Sequence, residues 1–288
     1  PLEYVDCWKA SARQCVFNLL ILEERIEYYR NGNPDKIRGN FEWSNGFGSK
    51  VRFLPSDNGR WYVSLQLDPS KANRMIIDEN GVRSPNGNMR FVAGGDPYKF
   101  SKTKYKGSYG GGAVFYKYDH AIDAGKTDTN KWESCRFVCT YKYRPNSLEE
   151  YGTDMIMMCQ YYNAQMFPEV NVDFLYKYFI DQQYGGYLHY IFDPNKGKYA
   201  STPGQYTHVK EKEQIFTSTQ SYIERHGMRE RHDELLKEWK GVVDELTDFD
   251  LAVAAGLALI AAGDIAADDY VEDDSIPDIS HYYQRYKY

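Results

Sequence analysis

The sequence predicts an α/β protein: a mixed five-stranded sheet flanked by helices, with a small N-terminal helix plus β-hairpin lead-in. Three observations support this fold class. Three strand-like segments follow one another from residue 91, helices and short strands then alternate, and an alanine-rich helix occupies 249–262. The chain has 288 residues, of which 42% are hydrophobic, which is enough for one sizeable core and a smaller appended part.

The first 90 residues form a predicted lead-in segment. Four residues recur at three- and four-residue steps and predict a helix: Leu19, Leu22, Ile26 and Tyr29. Short strands follow at 37–43, 50–55 and 61–67. The sequence SDNG at 56–59 predicts that the last two strands form a hairpin. A loop rich in Asn and Gly at 78–88 marks the end of the segment.

From residue 91 onward the predicted elements follow the order β-β-β-α-β-α-β-α. The strands lie at 90–96, 111–119, 135–144, 166–172 and 185–192. Ser147 and Glu150 form a capping box for a helix that runs to about 163. A second helix covers 173–183, a long polar helix covers 221–243, and Gly263 is the expected C-cap of the last helix. This order is that of the ribonuclease H-like fold, so we divide the chain into a lead-in (1–90), a ribonuclease H-like domain (91–263) and a flexible acidic tail (264–288).

Charge and cysteine usage narrow the possible functions. The formal net charge is −6, yet seven acidic residues between 264 and 278 account for it, which leaves about +1 for the rest of the chain. The five cysteines form no CxxC motif and have no nearby histidine pair, which argues against a zinc site and fits a reduced, cytosolic compartment. No apolar run approaches the roughly 20 residues of a membrane span, so we expect no membrane partner. The chain begins at Pro1 within a helix-like pattern, and we expect it to be a piece of a longer polypeptide.

Acidic residues stand at the ends of elements that this fold brings together. Asp96 follows the first strand of the domain, Glu169 lies at the end of the fourth, and Asp248 and Asp250 precede or begin the last helix. Carboxylates held close together in a poorly solvated cleft repel one another, and a divalent cation offsets that cost. Mg²⁺ and Mn²⁺ prefer oxygen ligands, and two such ions can cleave a phosphodiester by activating water. We therefore expect Asp96, Glu169 and Asp250, with Asp248 as an alternative, to bind two of these ions, as in a two-metal-ion endonuclease.

Each of these residues also has a purely structural interpretation. Asp96 can end a strand in a GGDP turn, and Glu169 can be an exposed charge at a strand end. Asp248 is a plausible N-cap, and Asp250 can form a capping box with Thr247. Taken singly, the acids at the helix start are better explained by capping. The combination of all of them on one fold is what favours a metal site.

A basic segment follows Asp96 directly. Lysines alternate with tyrosines in KFSKTKYKGSY at 99–109, and the residues we expect to contact DNA are Lys99, Lys102, Lys104, Tyr105 and Lys106. Lysines neutralise phosphates, and tyrosines pack on sugars or unstacked bases. A solubilising hairpin tip is the alternative interpretation.

Several segments resemble the nuclease domain of the terminase large subunits of tailed bacteriophages. They are FVAGGDPYKF, RPNSLEEYGTDMIMMCQYYN, FPEVNVD and TDFDLAVAAGLALIAA, and the likeness covers about 91–263. The family's catalytic pattern is an Asp on the first strand, a Glu or Asp on the fourth and an Asp in a late motif; these match Asp96, Glu169 and Asp250. Phe249 stands where many members have histidine, which leaves the third position open between Asp250 and Asp248. No GxxxxGK[ST] motif occurs, so the ATPase of the family is absent.

The resemblance implies a metal-dependent endonuclease that cuts concatemeric double-stranded phage DNA during genome packaging. It implies the portal or procapsid and the small terminase subunit as partners of the full-length protein, and the cytoplasm of the host cell as the location. Two alternatives stay open: a resolvase- or transposase-like nuclease of the same fold, and a non-catalytic phage assembly module.

Overall fold

The computed structural model describes residues 15–32, 35–87, 90–98, 108–193, 195–207, 209–243 and 249–264. The strands are β1 (Ile37–Trp43), β2 (Val51–Pro55), β3 (Trp61–Val63), β4 (Met75–Ile77), β5 (Arg83–Pro85), β6 (Phe91–Asp96), β7 (Gly110–Tyr116), β8 (Arg136–Tyr143), β9 (Gln165–Pro168), β10 (Phe192–Asp193) and β11 (Lys198–Tyr199). The α-helices are α1 (Leu19–Arg30), α2 (His120–Asp123), α3 (Leu148–Tyr162), α4 (Leu175–Asp181), α5 (Val209–His226), α6 (Asp233–Gly241) and α7 (Asp250–Asp264). None of the helices among these residues is long and apolar enough to cross a membrane.

The central sheet has the strand order β2-β1-β3-β8-β7-β6-β9. All pairs are antiparallel except β6 and β9, which run parallel. An antiparallel meander of β6, β7 and β8 with a fourth strand parallel to the first is the ribonuclease H-like arrangement, and the predicted fold class is confirmed.

The prediction of five strands is wrong, because the central sheet has seven strands within the described part of the chain. The lead-in strands extend the meander through pairing of β3 with β8, in which Trp61 lies opposite Tyr141. The expected fifth strand is reduced to one parallel bridge between Leu188 and Met166. The chain before Leu188 forms a 3₁₀ turn, and it packs so closely on β5 that a Cβ on Gly186 would lie 1.9 Å from the Ser84 hydroxyl oxygen.

The predicted hairpin of the second and third strands is also wrong. β1 lies between β2 and β3 and pairs with both, so the SDNG turn spans β1 rather than joining two neighbouring strands. Phe41 of β1 is buried and contacts the rings of Phe53 and Trp61 at centroid distances of 5.3 and 5.2 Å. These aromatic contacts favour the observed order, because they place the β1 ring between the rings of its two neighbours.

Each face of the sheet is covered by a different helix. The methionine- and tyrosine-rich α3 packs on one face, and Ser147 caps it as predicted by accepting the Glu150 N–H at 3.1 Å. The small-residue helix α7 lies on the opposite face, with α5 and α6 beside it. A Cβ on Gly94 would stand 1.9 Å from the Ala254 carbonyl oxygen, so only glycine allows α7 to come this close to β6.

The long polar helix expected at 221–243 is two helices, α5 and α6. The carboxylate of Glu230 accepts the backbone N–H groups of Arg231 and His232, both at 2.9 Å, and so replaces the helical hydrogen bonds there. Gly227 begins the intervening 3₁₀ turn, where a Cβ would lie 2.8 Å from the Ile21 side chain. The last helix also differs from prediction, since Gly263 lies within α7 and is not its C-cap.

Candidate active site

Asp96 is the last residue of β6 and lies on the sheet face that α7 covers. Its Cα pairs with that of Gly111 in β7, and the residue is only 8% exposed. The turn interpretation of Asp96 explains the end of the strand but not the burial of a carboxylate, which is costly unless it has a partner.

Glu169 follows β9 directly, and its backbone N–H donates to the Gly95 carbonyl oxygen at 2.7 Å. This bond continues the parallel pairing and brings Glu169 next to Asp96. The residue is 8% exposed, so it is not the exposed charge of the structural interpretation. Its Oε1 accepts hydrogen bonds from the Thr207 hydroxyl and, at 2.8 Å, from Nδ2 of Asn171. The Glu169 side chain is therefore held in one orientation.

Asp250 is the first residue of α7. Its Oδ2 accepts the backbone N–H of Tyr109 at 2.8 Å. A Cβ on Gly111 would stand 2.1 Å from the Asp250 carbonyl oxygen, so α7 begins directly above the strand pair that carries Asp96. Phe249, which precedes Asp250, is half-buried against Gly241, and its carbonyl accepts the Val253 N–H at 3.0 Å.

The three carboxyl groups act on one another electrostatically. Burial raises the pKa of Asp96 well above its usual range, the charges of Glu169 and Asp250 raise it further, and so does a hydrogen bond to Glu169. The structure thus places Asp96, Glu169 and Asp250 near one another, and their role as one site stays a prediction.

Carboxylates are the oxygen ligands that a divalent cation prefers, but in this structure the three side chains do not lie close enough together to bind one. Among the residues that the structure describes, no three His, Cys, Asp or Glu side chains are grouped closely enough to hold a metal ion. Asp250 instead accepts a hydrogen bond from the Tyr109 amide. A bound cation would offset the repulsion between these carboxylates.

Other predicted site residues fall outside the described part of the chain. They are Lys99, Lys102, Lys104, Tyr105 and Lys106 of the basic segment, and Asp248 before the last helix. The choice between Asp248 and Asp250 as third metal ligand therefore stays a prediction. The acidic tail beyond residue 264 also lies outside the described residues.

Two charged residues near the site were not predicted from the sequence. Glu238 of α6 is 7% exposed, and its Oε1 lies 2.5 Å from the Lys142 Nζ. Lys142 pairs in register with Gly111, which pairs with Asp96, so the three residues form one row across β8, β7 and β6. The strand register would have revealed Lys142, because residues paired in one row point to the same face. No local pattern distinguishes Glu238 from the other acids of its helix.

The chain is therefore an α/β protein with the strand order of the ribonuclease H-like fold. Two buried carboxylates, Asp96 and Glu169, lie at the ends of its neighbouring strands β6 and β9. Comparison with solved structures finds a likeness to one described as the crystal structure of the large terminase nuclease from thermophilic phage G20c. The two share 13% sequence identity with a TM-score of 0.40, over 78% of this chain and 92% of that chain. No family model and no curated protein matches the chain.

Proposed function

We propose that this chain is a metal-dependent endonuclease that cuts double-stranded DNA, the nuclease part of a terminase large subunit without its ATPase. One observation carries the proposal: Asp96, Glu169 and Asp250, from β6, the end of β9 and the start of α7, converge as carboxyl groups that repel one another. The resemblance of the surrounding sequence segments to terminase nucleases supplies the substrate. Concatemeric phage DNA, the portal or procapsid, the small terminase subunit and the host cytoplasm belong to this proposal.

Asp96, Glu169 and Asp250 would hold one or two Mg²⁺ or Mn²⁺ ions. Such ions activate water and stabilise the leaving oxygen in phosphodiester hydrolysis. Thr207 and Asn171 keep the Glu169 carboxylate oriented toward Asp96 through their hydrogen bonds to its Oε1. The backbone N–H of Tyr109 donates a hydrogen bond to the Asp250 carboxylate and so restrains its orientation. These hydrogen bonds hold Glu169 and Asp250, and the carboxyl groups would have to move closer together to bind an ion.

A plasmid-nicking assay tests the proposal. The wild-type chain should convert supercoiled plasmid to nicked and linear forms with Mg²⁺ or Mn²⁺, and EDTA should stop the reaction. Asp96→Asn should lose this activity, whereas Asp181→Asn, an exposed aspartate at the end of α4, should retain it. Nicking that persists in Asp96→Asn would contradict the site. A folded wild-type chain that nicks no DNA would favour the non-catalytic assembly module, and a strong preference for branched DNA would favour a resolvase-like nuclease.

A further inference from the structure

Glu238 joins three elements around the site. Its Oε2 accepts the backbone N–H of Ala252 in α7 at 2.8 Å, and its Oε1 pairs with Lys142 of β8 at 2.5 Å. Burial raises its pKa, the Lys142 charge lowers it and the nearby Asp250 charge raises it again. This carboxylate of α6 is therefore in contact with both the sheet and the helix that carries Asp250.

The contact with Ala252 bears directly on Asp250. The first N–H groups of an α-helix have no partner within the helix, and a carboxylate that accepts one of them also interacts favourably with the helix dipole. Ala252 lies two residues after Asp250, in the first turn of α7. The Glu238 carboxylate thus anchors the turn from which the Asp250 side chain extends.

Lys142 makes it possible to bury this carboxylate. A buried charge without a partner is strongly destabilising, and Lys142 supplies the opposite charge at contact distance. The same Nζ lies 5.4 Å from the centroid of the Tyr109 ring, and the Tyr109 amide donates to Asp250. Two contacts therefore position Asp250. Glu238 binds the backbone N–H of Ala252 in the same helical turn. Tyr109, whose ring contacts Lys142, donates its own backbone N–H to the Asp250 carboxylate.

We propose that Glu238 is a positioning residue of the site: it fixes the first turn of α7, and with it the Asp250 carboxylate, with Lys142 as its counter-charge. The functional consequence rests on the proposed nuclease function, because the position of Asp250 matters to catalysis only if Asp250 binds the metal. The effect on α7 itself does not depend on that function.

Two variants distinguish the effect of the hydrogen bond between Glu238 and Ala252 from the effect of the Glu238 and Lys142 charges. Glu238→Ala removes the acceptor of the Ala252 N–H, whereas the double variant Lys142→Gln with Glu238→Gln removes both charges and keeps an acceptor oxygen. The double variant Glu23→Gln with Lys240→Gln is the matched control, because it neutralises an exposed ion pair, at 2.7 Å, between α1 and the same helix α6. If Glu238→Ala does not fold, Glu238→Leu, which fills the vacated volume, takes its place.

Three measurements are made on each variant: amide hydrogen exchange of 250–253 without metal, Mn²⁺ affinity by calorimetry, and the rate of plasmid nicking. For Glu238→Ala we expect exchange at least tenfold faster, Mn²⁺ binding at least tenfold weaker and a lower kcat. The double glutamine variant and the control should stay within threefold of wild type in exchange and Mn²⁺ affinity.

Two results would overturn the inference. One is a Glu238→Ala protein that matches wild type in exchange and Mn²⁺ affinity. The other is a double glutamine variant as impaired as Glu238→Ala, because charge and not position would then be decisive. A wild-type chain that neither binds Mn²⁺ nor nicks DNA would overturn the proposed function instead, and the exchange rates of 250–253 would still decide whether Glu238 anchors α7.

Discussion

Gly111 and Asp250 are in direct contact across the sheet–helix interface: a Cβ on Gly111 would stand 2.1 Å from the Asp250 carbonyl oxygen. Because Gly111 is also the register partner of Asp96, this one glycine sets the separation between the two acids. A side chain there must push the start of α7 away from β7, since the obstructing atom belongs to the backbone.

Gly111→Ala should therefore destabilise the protein by roughly 1–3 kcal/mol, as overpacking of a close interface does. It should also weaken Mn²⁺ binding, because Asp250 would move away from Asp96. Chemical denaturation and calorimetric Mn²⁺ titration measure the two effects. Gly185→Ala is the control, since the nearest atom to a Cβ there is the Ile180 side chain at 3.8 Å. Equal effects of the two substitutions would show that Gly111 has no special role.

Asp96→Asn should raise the melting temperature of the metal-free protein while it removes nicking. The pKa of Asp96 is raised mainly by burial and by the Glu169 and Asp250 charges, so near neutral pH its ionised form is the costly one. A neutral amide of nearly the same volume relieves that repulsion. Added Mn²⁺ should raise the melting temperature of wild type and not of the variant. A variant that melts well below wild type without metal would contradict this account.

Asp250→Asn should remove nicking with a small change in stability. Asp248→Ala should leave measurable activity, and it should cost about 1 kcal/mol if Asp248 is an N-cap. Asp250 begins α7, and its carboxylate lies close enough to Asp96 to raise the pKa of that residue. Nicking assays and melting curves of both variants decide between them. An inactive Asp248 variant beside an active Asp250 variant would reverse the assignment of the third ligand.

Substitutions in the basic segment at 99–109 should change the affinity for DNA and leave the affinity for the metal ion unchanged. Replacing Lys102, Lys104 and Lys106 together by Gln should weaken DNA binding and reduce the slope of log affinity against log salt by about 0.9 for each phosphate that the protein no longer neutralises. Fluorescence anisotropy over a range of salt concentrations measures this slope, with Lys71→Gln as a surface control. An unchanged slope would support the alternative of a solubilising hairpin tip.

Asp154 should impose its own pH dependence on stability. It is 2% exposed, accepts hydrogen bonds from Arg60 and Tyr141, both at 2.8 Å, and has its pKa raised to about 6, mainly by burial. Between about pH 4 and pH 6 the folded state binds more protons here than the unfolded state, so this residue's contribution to stability falls as the pH rises.

Relative to Asp154→Asn, the free energy of unfolding of wild type should fall over that window by an amount on the order of 3 kcal/mol. Urea denaturation at several pH values measures the difference. Glu150→Gln, which removes the half-exposed second partner of Arg60, should reduce this slope only slightly, because the Glu150 charge is a minor cause of the raised pKa of Asp154. A parallel pH profile for wild type and Asp154→Asn would rule the assignment out.

The sequence predicted the fold class because its main signals are local. The apolar segments, the Ser147 cap and the alternation of strands and helices from residue 91 each depend on neighbouring residues. The pairing of β3 with β8 joins residues about 80 positions apart, and nothing local specifies it. The break between α5 and α6 was missed for a related reason, since it depends on which amides the Glu230 carboxylate accepts.

The acids of the candidate site could be picked out from the sequence because each ends or begins an element. Asp96, Glu169 and Asp250 stand at positions that the fold brings to one end of the sheet. Lys142 and Glu238 could not be predicted from the sequence, because their ion pair depends on the register of β8 and on the way α6 packs against that strand. Their places follow from tertiary packing, which a single sequence does not encode locally.

The pairing of β3 with β8 predicts how the protein would respond to truncation of its N-terminal residues. β8 is an interior strand only because β3 covers one side of it. A chain that began at residue 90 would leave the backbone N–H and C=O groups of β8 unpaired along that side, beside the buried ring of Tyr141. Open strand edges of this kind recruit further strands from other molecules. The first strands of the chain thus cover an edge of the ribonuclease H-like part, and shortening the protein to that part should yield aggregates rather than a smaller soluble unit.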